Sequence, residues 1–199
     1  VAAGLCAAAI GTETSGSLLS PATQNGLVTV KPTVGLIGRS GVIPISHSQD
    51  TAGPLTRTVR DAAILLNVLT ARDPKDPATR YLQRPDDYTA FLDEDGLKGA
   101  RIGVPANPTD PGRDIFYKSL SPRAAAVMGD VIALLEDRSA TIVRDNIPEP
   151  GIVGGPGTFM GIISRNPESE TEGNVVYRPV VFVYELKHDL DAYLANANV

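Results

Sequence analysis

Residues 11 to 17 read Gly11-Thr12-Glu13-Thr14-Ser15-Gly16-Ser17, directly after the apolar run Leu5 to Ile10 and directly before Leu18-Leu19-Ser20-Pro21-Ala22. Glycines at 11 and 16 permit backbone angles closed to other residues, so several N–H groups of one short loop can turn toward a common point. Ser17 supplies a hydroxyl beside them. Donors converging next to a hydroxyl are what acyl transfer requires. A tight turn whose hydroxyls bond their own backbone would use the same residues, so the surroundings have to decide between the two readings.

Working outward, Leu5 to Ile10 is short, apolar and followed by glycine, as a buried strand or the end of a buried helix would be. Leu27 to Val30 reads as a strand closed by Lys31-Pro32, and the glycines from Gly35 to Pro44 mark a loop or short hairpin. Val59, Ala62, Ala63 and Leu66 fall at i, i+3, i+4 and i+7, with Thr58 and Asp61 at capping-box spacing, which predicts a helix from 58 to 69. Arg72 to Arg84 reads as a solvated connection with a short helix near Asp87 to Leu92, and Arg101 to Val104 as a strand. Ser121 as N-cap and Pro122 at the first helical position open a helix that would bury Ala124, Val127, Met128, Val131, Ile132 and Leu135. Ala140 to Val143 is then a strand. The segment 148–179 reads as a loop, and 180–195 as a helix with Val183, Leu186, Leu190, Tyr193 and Leu194 on one stripe. Strands alternating with helices predict an α/β layered architecture, helices covering a mixed or largely parallel sheet.

Composition narrows the function classes. The chain has 199 residues, 42% of them hydrophobic, and a net charge of -5, which leaves no basic patch for a phosphate backbone. Nucleic acid is not an expected partner. The opening apolar stretch lacks a basic leader and is too short to span a bilayer, so no membrane span is expected and a cytoplasmic location is the expectation. The single cysteine, Cys6, reads as a small core residue in a reducing compartment. One Cys and the two sequence-distant histidines, His47 and His188, offer no metal set, and no cofactor is expected. The first fifty residues carry four Asp, Glu, Lys or Arg side chains, Glu13, Lys31, Arg39 and Asp50, against about ten for an average stretch. Such a segment belongs inside a core. A chain that begins within it, without a methionine, is expected to be a fragment whose preceding part helps to cover it, and the stop shortly after the last helix is expected to be a truncation as well.

Ala2 to Ala22 as a whole resembles the core of the amidase signature family. Gly26-Leu27-Val28-Thr29-Val30-Lys31-Pro32-Thr33 and Asp50-Thr51-Ala52-Gly53-Pro54-Leu55-Thr56-Arg57-Thr58-Val59-Arg60-Asp61-Ala62-Ala63 resemble two further blocks of it, in the family's order. Three ordered blocks are a specific signal where one Gly-Ser loop is not. The resemblance implies that 1–199 is part of an amidase domain, with a signature core at 1–70 and a mixed β-sheet covered by helices.

It further implies hydrolysis of carbon–nitrogen bonds in small-molecule amides by a serine, a second serine that relays the proton, and a lysine base. Ser17 is then the nucleophile, and the backbone of Thr14, Ser15, Gly16 and Ser17 the oxyanion hole. The relay serine and the lysine lie ahead of residue 1 in the family, so the chain alone is expected to be inactive. Lys31 falls at a position whose expected role is structural. Two departures bear on the substrate: Ser15 stands where glycine is common and Leu19 where arginine is common, which favours an uncharged or apolar amide. Two other readings stay open at this level, a Ser-His-Asp hydrolase using Ser17, His47 and Asp50, and a non-catalytic remnant or interaction fragment of the fold. The Gly-x-Ser-x-Gly elbow is absent, and a Walker loop would need a lysine that Gly11 to Ser17 lacks.

Overall fold

The computed structural model of the chain describes residues 1–105, 120–145, 163–165 and 177–196. Contacts divide the chain into two compact units, Val1–Phe91 with Ile152–Val199, and Leu92–Gly151.

In the first unit, strand β1 (Ala9–Glu13) leads through a turn into helix α1 (Leu19–Asn25), followed by β2 (Val28–Thr29), β3 (Thr51–Thr56) and helix α2 (Val59–Leu69). The sheet order is β1-β3-β2 with both pairings antiparallel. As the central strand, β3 is buried along nearly its whole length, which explains why Thr51 to Thr56 does not alternate polar with apolar. Helix α2 starts as its sequence predicts: the Thr58 hydroxyl accepts from the Asp61 N–H at 3.0 Å. It buries Ala62, Ala63 and Leu66, while Val59 stays exposed. Leu66 meets Ile37 and Ala52 in a small core, with Leu69 and Tyr88 packed against it.

Several expectations need correction. Residues 11 to 13 belong to β1, so Gly11 serves by its lack of a side chain and not by an unusual backbone angle; of the two loop glycines only Gly16 has positive φ, at 83°. Leu5 is 90% exposed and Ile10 is exposed too, so Leu5 to Ile10 is neither a buried strand nor a buried helix end. Cys6 is exposed, not core. Low charge removes a penalty on burial but supplies no packing partner. The connection at 72 to 84 is not simply solvated: it contains a 3-10 helix (Pro77–Tyr81), and Asp76 and Thr79 are buried.

The second unit holds β4 (Arg101–Pro105), helix α3 (Pro122–Asp137) and β5 (Thr141–Asp145), with β4 and β5 parallel. Ser121 caps α3 by accepting from the Ala124 N–H. Of the face expected to be buried, Ile132 is buried and Ala124 and Leu135 are half-buried, whereas Val127, Met128 and Val131 are exposed; among the described residues α3 packs against β5. Returning to the first unit, β6 (Ile163–Arg165) pairs antiparallel with β7 (Tyr177–Pro179), and helix α4 runs Val180–Asn196. The rest of the loop expected at 148–179 lies outside the described residues. The architecture is mixed α/β, with parallel and antiparallel pairings in separate small sheets.

A glycine pair in the first sheet sets the position of the turn that follows. Gly11 and Gly53 are paired in register across β1 and β3, and Leu18, 0% exposed, packs into the notch they leave. A Cβ at Gly53 would stand 2.4 Å from the Val30 carbonyl oxygen and 2.6 Å from Leu18 Cδ1. Gly53→Ala is therefore expected to destabilise the protein by about 1–3 kcal/mol, the usual cost of overpacking. A melting temperature equal to that of the parent would show that the notch can widen.

Candidate active site

Ser17 sits at the end of β1's turn, one residue before Leu18, the N-cap of α1. Its side chain is exposed, and its hydroxyl makes no hydrogen bond among the described residues. Gly16, in the left-handed region at φ 83°, makes the reversal, and its carbonyl accepts from the Ser20 N–H at 2.8 Å.

What holds this turn is Glu13. The first N–H groups of a helix have no intrahelical partner, and Leu18 offers no side-chain cap. The Glu13 carboxylate fills that role: Oε2 accepts from the N–H of Leu18 at 2.7 Å and of Leu19 at 3.0 Å. Glu13 is only 3% exposed. Burial acts to raise its pKa, but the N–H groups of Leu19, Gly16 and Leu18, together with the charge of Lys31, outweigh it and hold the carboxyl below its ordinary value. Lys31 is itself exposed and acts here through its field on Glu13.

Thr14 is fixed from the other side. Its buried hydroxyl donates to Asp50 Oδ1 at 2.5 Å, and Asp50 Oδ2 accepts from the N–H groups of Ile45 and Ser46, each at 2.8 Å. Both Asp50 oxygens are thereby engaged. The loop that carries Asp50 is gripped by Arg39, whose guanidinium donates to the carbonyls of His47 at 2.6 Å and Asp50 at 3.2 Å. Arg39 is paired with Asp76 through Nε at 2.8 Å and Nη2 at 3.0 Å. The hydrogen bond from Arg39 is the main reason the Asp76 carboxyl is lowered, and Asp76 in turn raises Arg39.

His47 and Asp50 are not brought together as a triad would need. No hydrogen bond links their side chains among the described residues; the His47 ring instead faces α4, with Nδ1 3.0 Å from Asp189 Oδ2 and 3.5 Å from Glu185 Oε2. The two histidines, distant in sequence, share one carboxylate, since His188 Nδ1 lies 3.0 Å from Asp189 Oδ1. Donor atoms of His47, Glu185 and Asp189 lie within 4.8 Å of one another, which is ligating reach for a metal ion. Every oxygen of the two carboxylates, however, already faces an N–H, a hydroxyl or an imidazole nitrogen: Ser46, Ser48 and His47 on one side and His188 on the other. A cavity of about 260 Å³ opens beside Arg39, His47, Lys75 and Tyr193, and none of Thr14 to Ser17 lines it.

Sequence reasoning missed Glu13, Arg39, Asp76, Glu185 and Asp189. For two of them a signal existed. Glu13, Arg39 and Asp50 are three of the four Asp, Glu, Lys or Arg residues in the first fifty, and all three are buried or half-buried with specific partners. A charge kept in a charge-poor segment has to be paired, since an unpaired buried charge is costly.

Comparisons with known proteins place the chain in a family. The family model "Amidase" matches residues 1–152. A glutamyl-tRNA(Gln) amidotransferase subunit of Desulforapulum autotrophicum is 37% identical over 150 residues, which are 74% of this chain and 29% of that protein. The crystal structure of a peptide amidase from Stenotrophomonas maltophilia superposes with a TM-score of 0.62 at 44% identity, over 73% of this chain and 28% of that one. An amidase family protein from Bacillus anthracis gives a TM-score of 0.73 at 31% identity, over 98% of this chain and 32% of that one. The chain thus spans about 30% of the length of these relatives. No helix among the described residues is long and apolar enough to cross a membrane. With a family model over three quarters of its length and the three sequence blocks lying on β1, β2 and β3, the chain belongs to the amidase family.

Proposed function

We propose that the full-length protein hydrolyses the carbon–nitrogen bond of a small amide through an acyl-enzyme on Ser17. The observation that carries this reading is the turn itself: an exposed, unbonded hydroxyl at the end of a glycine reversal whose backbone is held by Glu13 and Thr14. In the reaction, Ser17 Oγ attacks the carbonyl carbon and its proton passes to a base. Charge collects on the carbonyl oxygen, where N–H groups of Thr14, Ser15 and Ser17 stabilise it, one such donor being worth about 3 kcal/mol; the Gly16 N–H, which faces the Glu13 carboxylate, is left out of that set. The carbon–nitrogen bond then breaks, the amine leaves with the transferred proton, and water opens the ester to a carboxylic acid.

The resemblance puts the relay serine and the base lysine ahead of residue 1, and a serine hydroxyl without a base is a poor nucleophile at neutral pH. The 199-residue chain by itself is therefore expected to show no turnover of a simple aryl amide, and turnover would overturn that division of the machinery. Leu19, in place of a cation, supports an uncharged or apolar amide as substrate. Treatment of the full-length protein with a fluorophosphonate, followed by mapping of the adduct, tests the reading directly. The expected adduct is on Ser17; labelling that survives Ser17→Ala sinks the assignment.

A further inference from the structure

We infer that Glu185 and Asp189 of α4 are positioning residues for the nucleophile turn, acting through the 45–50 loop and Asp50 on Thr14; this rests on Ser17 being the nucleophile. Glu185 and Asp189 stand four residues apart, so they share one face of α4. Both grip the same three-residue stretch. Glu185 Oε2 accepts from the Ser46 hydroxyl at 2.5 Å and from the Ser48 N–H at 3.2 Å, and Oε1 accepts from the Ser48 hydroxyl at 2.8 Å. Asp189 Oδ2 accepts from the His47 N–H at 2.7 Å. The Ser46 N–H is, in turn, one of the two that hold Asp50 Oδ2, and Asp50 Oδ1 receives the Thr14 hydroxyl. Three residues, Ser46, Asp50 and Thr14, thus carry the line of contacts from Glu185 to the first residue of the turn that ends in Ser17.

Each bond on this path except the one between Ser46 N–H and Asp50 joins two side chains, and each has a carboxylate as acceptor, the stronger class of hydrogen bond. Besides this path, the turn is held by Glu13 and by Leu18 in its notch, and the helix it leads into, α1, is only seven residues long. Catalytic geometry is sensitive on this scale: a displacement of about 1 Å can cost on the order of 100-fold in rate. A cation held by His47, Glu185 and Asp189 would have to displace the hydroxyl and N–H donors that already occupy the carboxylates, so the cluster is read as a clamp.

The test uses the full-length protein and a fluorophosphonate probe, following the maximal labelling rate and the probe concentration giving half that rate. Glu185→Gln keeps the shape of the side chain and removes its charge; Ser46→Ala removes the first bond of the path and serves if Glu185→Gln folds poorly. We expect the maximal rate to fall about tenfold with the half-rate concentration unchanged within about twofold. Thr14→Val cuts the path at its end, so combining it with Glu185→Gln should cost no more than Thr14→Val alone, the signature of residues acting in series. A parental labelling rate in both single variants, or losses that multiply in the double variant, would overturn the clamp. These outcomes differ from failure of the underlying reading, in which Ser17→Ala itself stays labelled and the clamp falls with it.

Discussion

Ser17→Ala in the full-length protein is expected to lower amide turnover by several orders of magnitude, toward the roughly 10⁶-fold seen when the nucleophile of a serine acyl-transfer enzyme is removed. The size of the effect follows from what alanine deletes. On the proposed reading, Ser17 Oγ forms the bond that splits one difficult hydrolysis into two easier steps, and the Thr14 hydroxyl, committed to Asp50, does not replace it. Stability should change little, because Ser17 is exposed and its hydroxyl has no partner among the described residues to lose. The decisive combination is therefore a lost rate with an unchanged melting temperature. A variant that keeps a tenth of parental turnover would place the chemistry elsewhere.

Glu13→Ala should do the opposite, costing both stability and rate. Removing the carboxylate leaves the buried N–H of Leu18 and the N–H of Leu19 without their acceptor, and an unsatisfied buried donor costs about 1–3 kcal/mol. A total of about 3 kcal/mol is expected, measurable as a lower denaturation midpoint. Labelling of Ser17 should slow as well, since the same N–H groups fix the backbone on which the hydroxyl stands. An unchanged midpoint would show that α1 finds another cap.

The same residue predicts a pH dependence. The folded-state pKa of Glu13 is held below its ordinary value of 4.5. Its contribution is thus fully present above that value and is lost as pH falls through the depressed folded-state value. Glu185 and Asp189 are lowered too: in both, burial is opposed more strongly by hydrogen bonds, from Ser46 and Ser48 to Glu185 and from His188 and His47 to Asp189. They contribute with the same sign. The acid limb of the stability profile should therefore lie below the ordinary carboxylate range, and Glu13→Gln should flatten part of it.

Much of this is legible in the chain because it is local. Thr58 and Asp61 announce α2, Ser121-Pro122 announces α3, and both caps form as the spacing requires. Such signals involve neighbours a turn apart, so tertiary contacts have little power to overrule them. Leu5 to Ile10 misleads for the converse reason: an apolar run states what burial would not cost, without stating what would cover it. Gly11 misleads in kind. A glycine wanted for space and a glycine wanted for positive φ look alike until the neighbouring strand is known, and here Gly53 and Leu18 decide it.

By itself, the sequence determined the family and the alternation of strands and helices, since these depend on residue type and short spacing, and it pointed to the Ser17 hydroxyl as the one to test. Only the tertiary structure decided what holds that hydroxyl in place. Glu13 folds back onto the start of α1, Asp50 reaches Thr14 across 36 positions, and Glu185 reaches Ser46 across 139. The last two pairs are too far apart to leave a periodicity in the chain, and the first, though local, matches no helix or strand spacing. They are chosen by which carboxylate the fold brings to which unsatisfied donor.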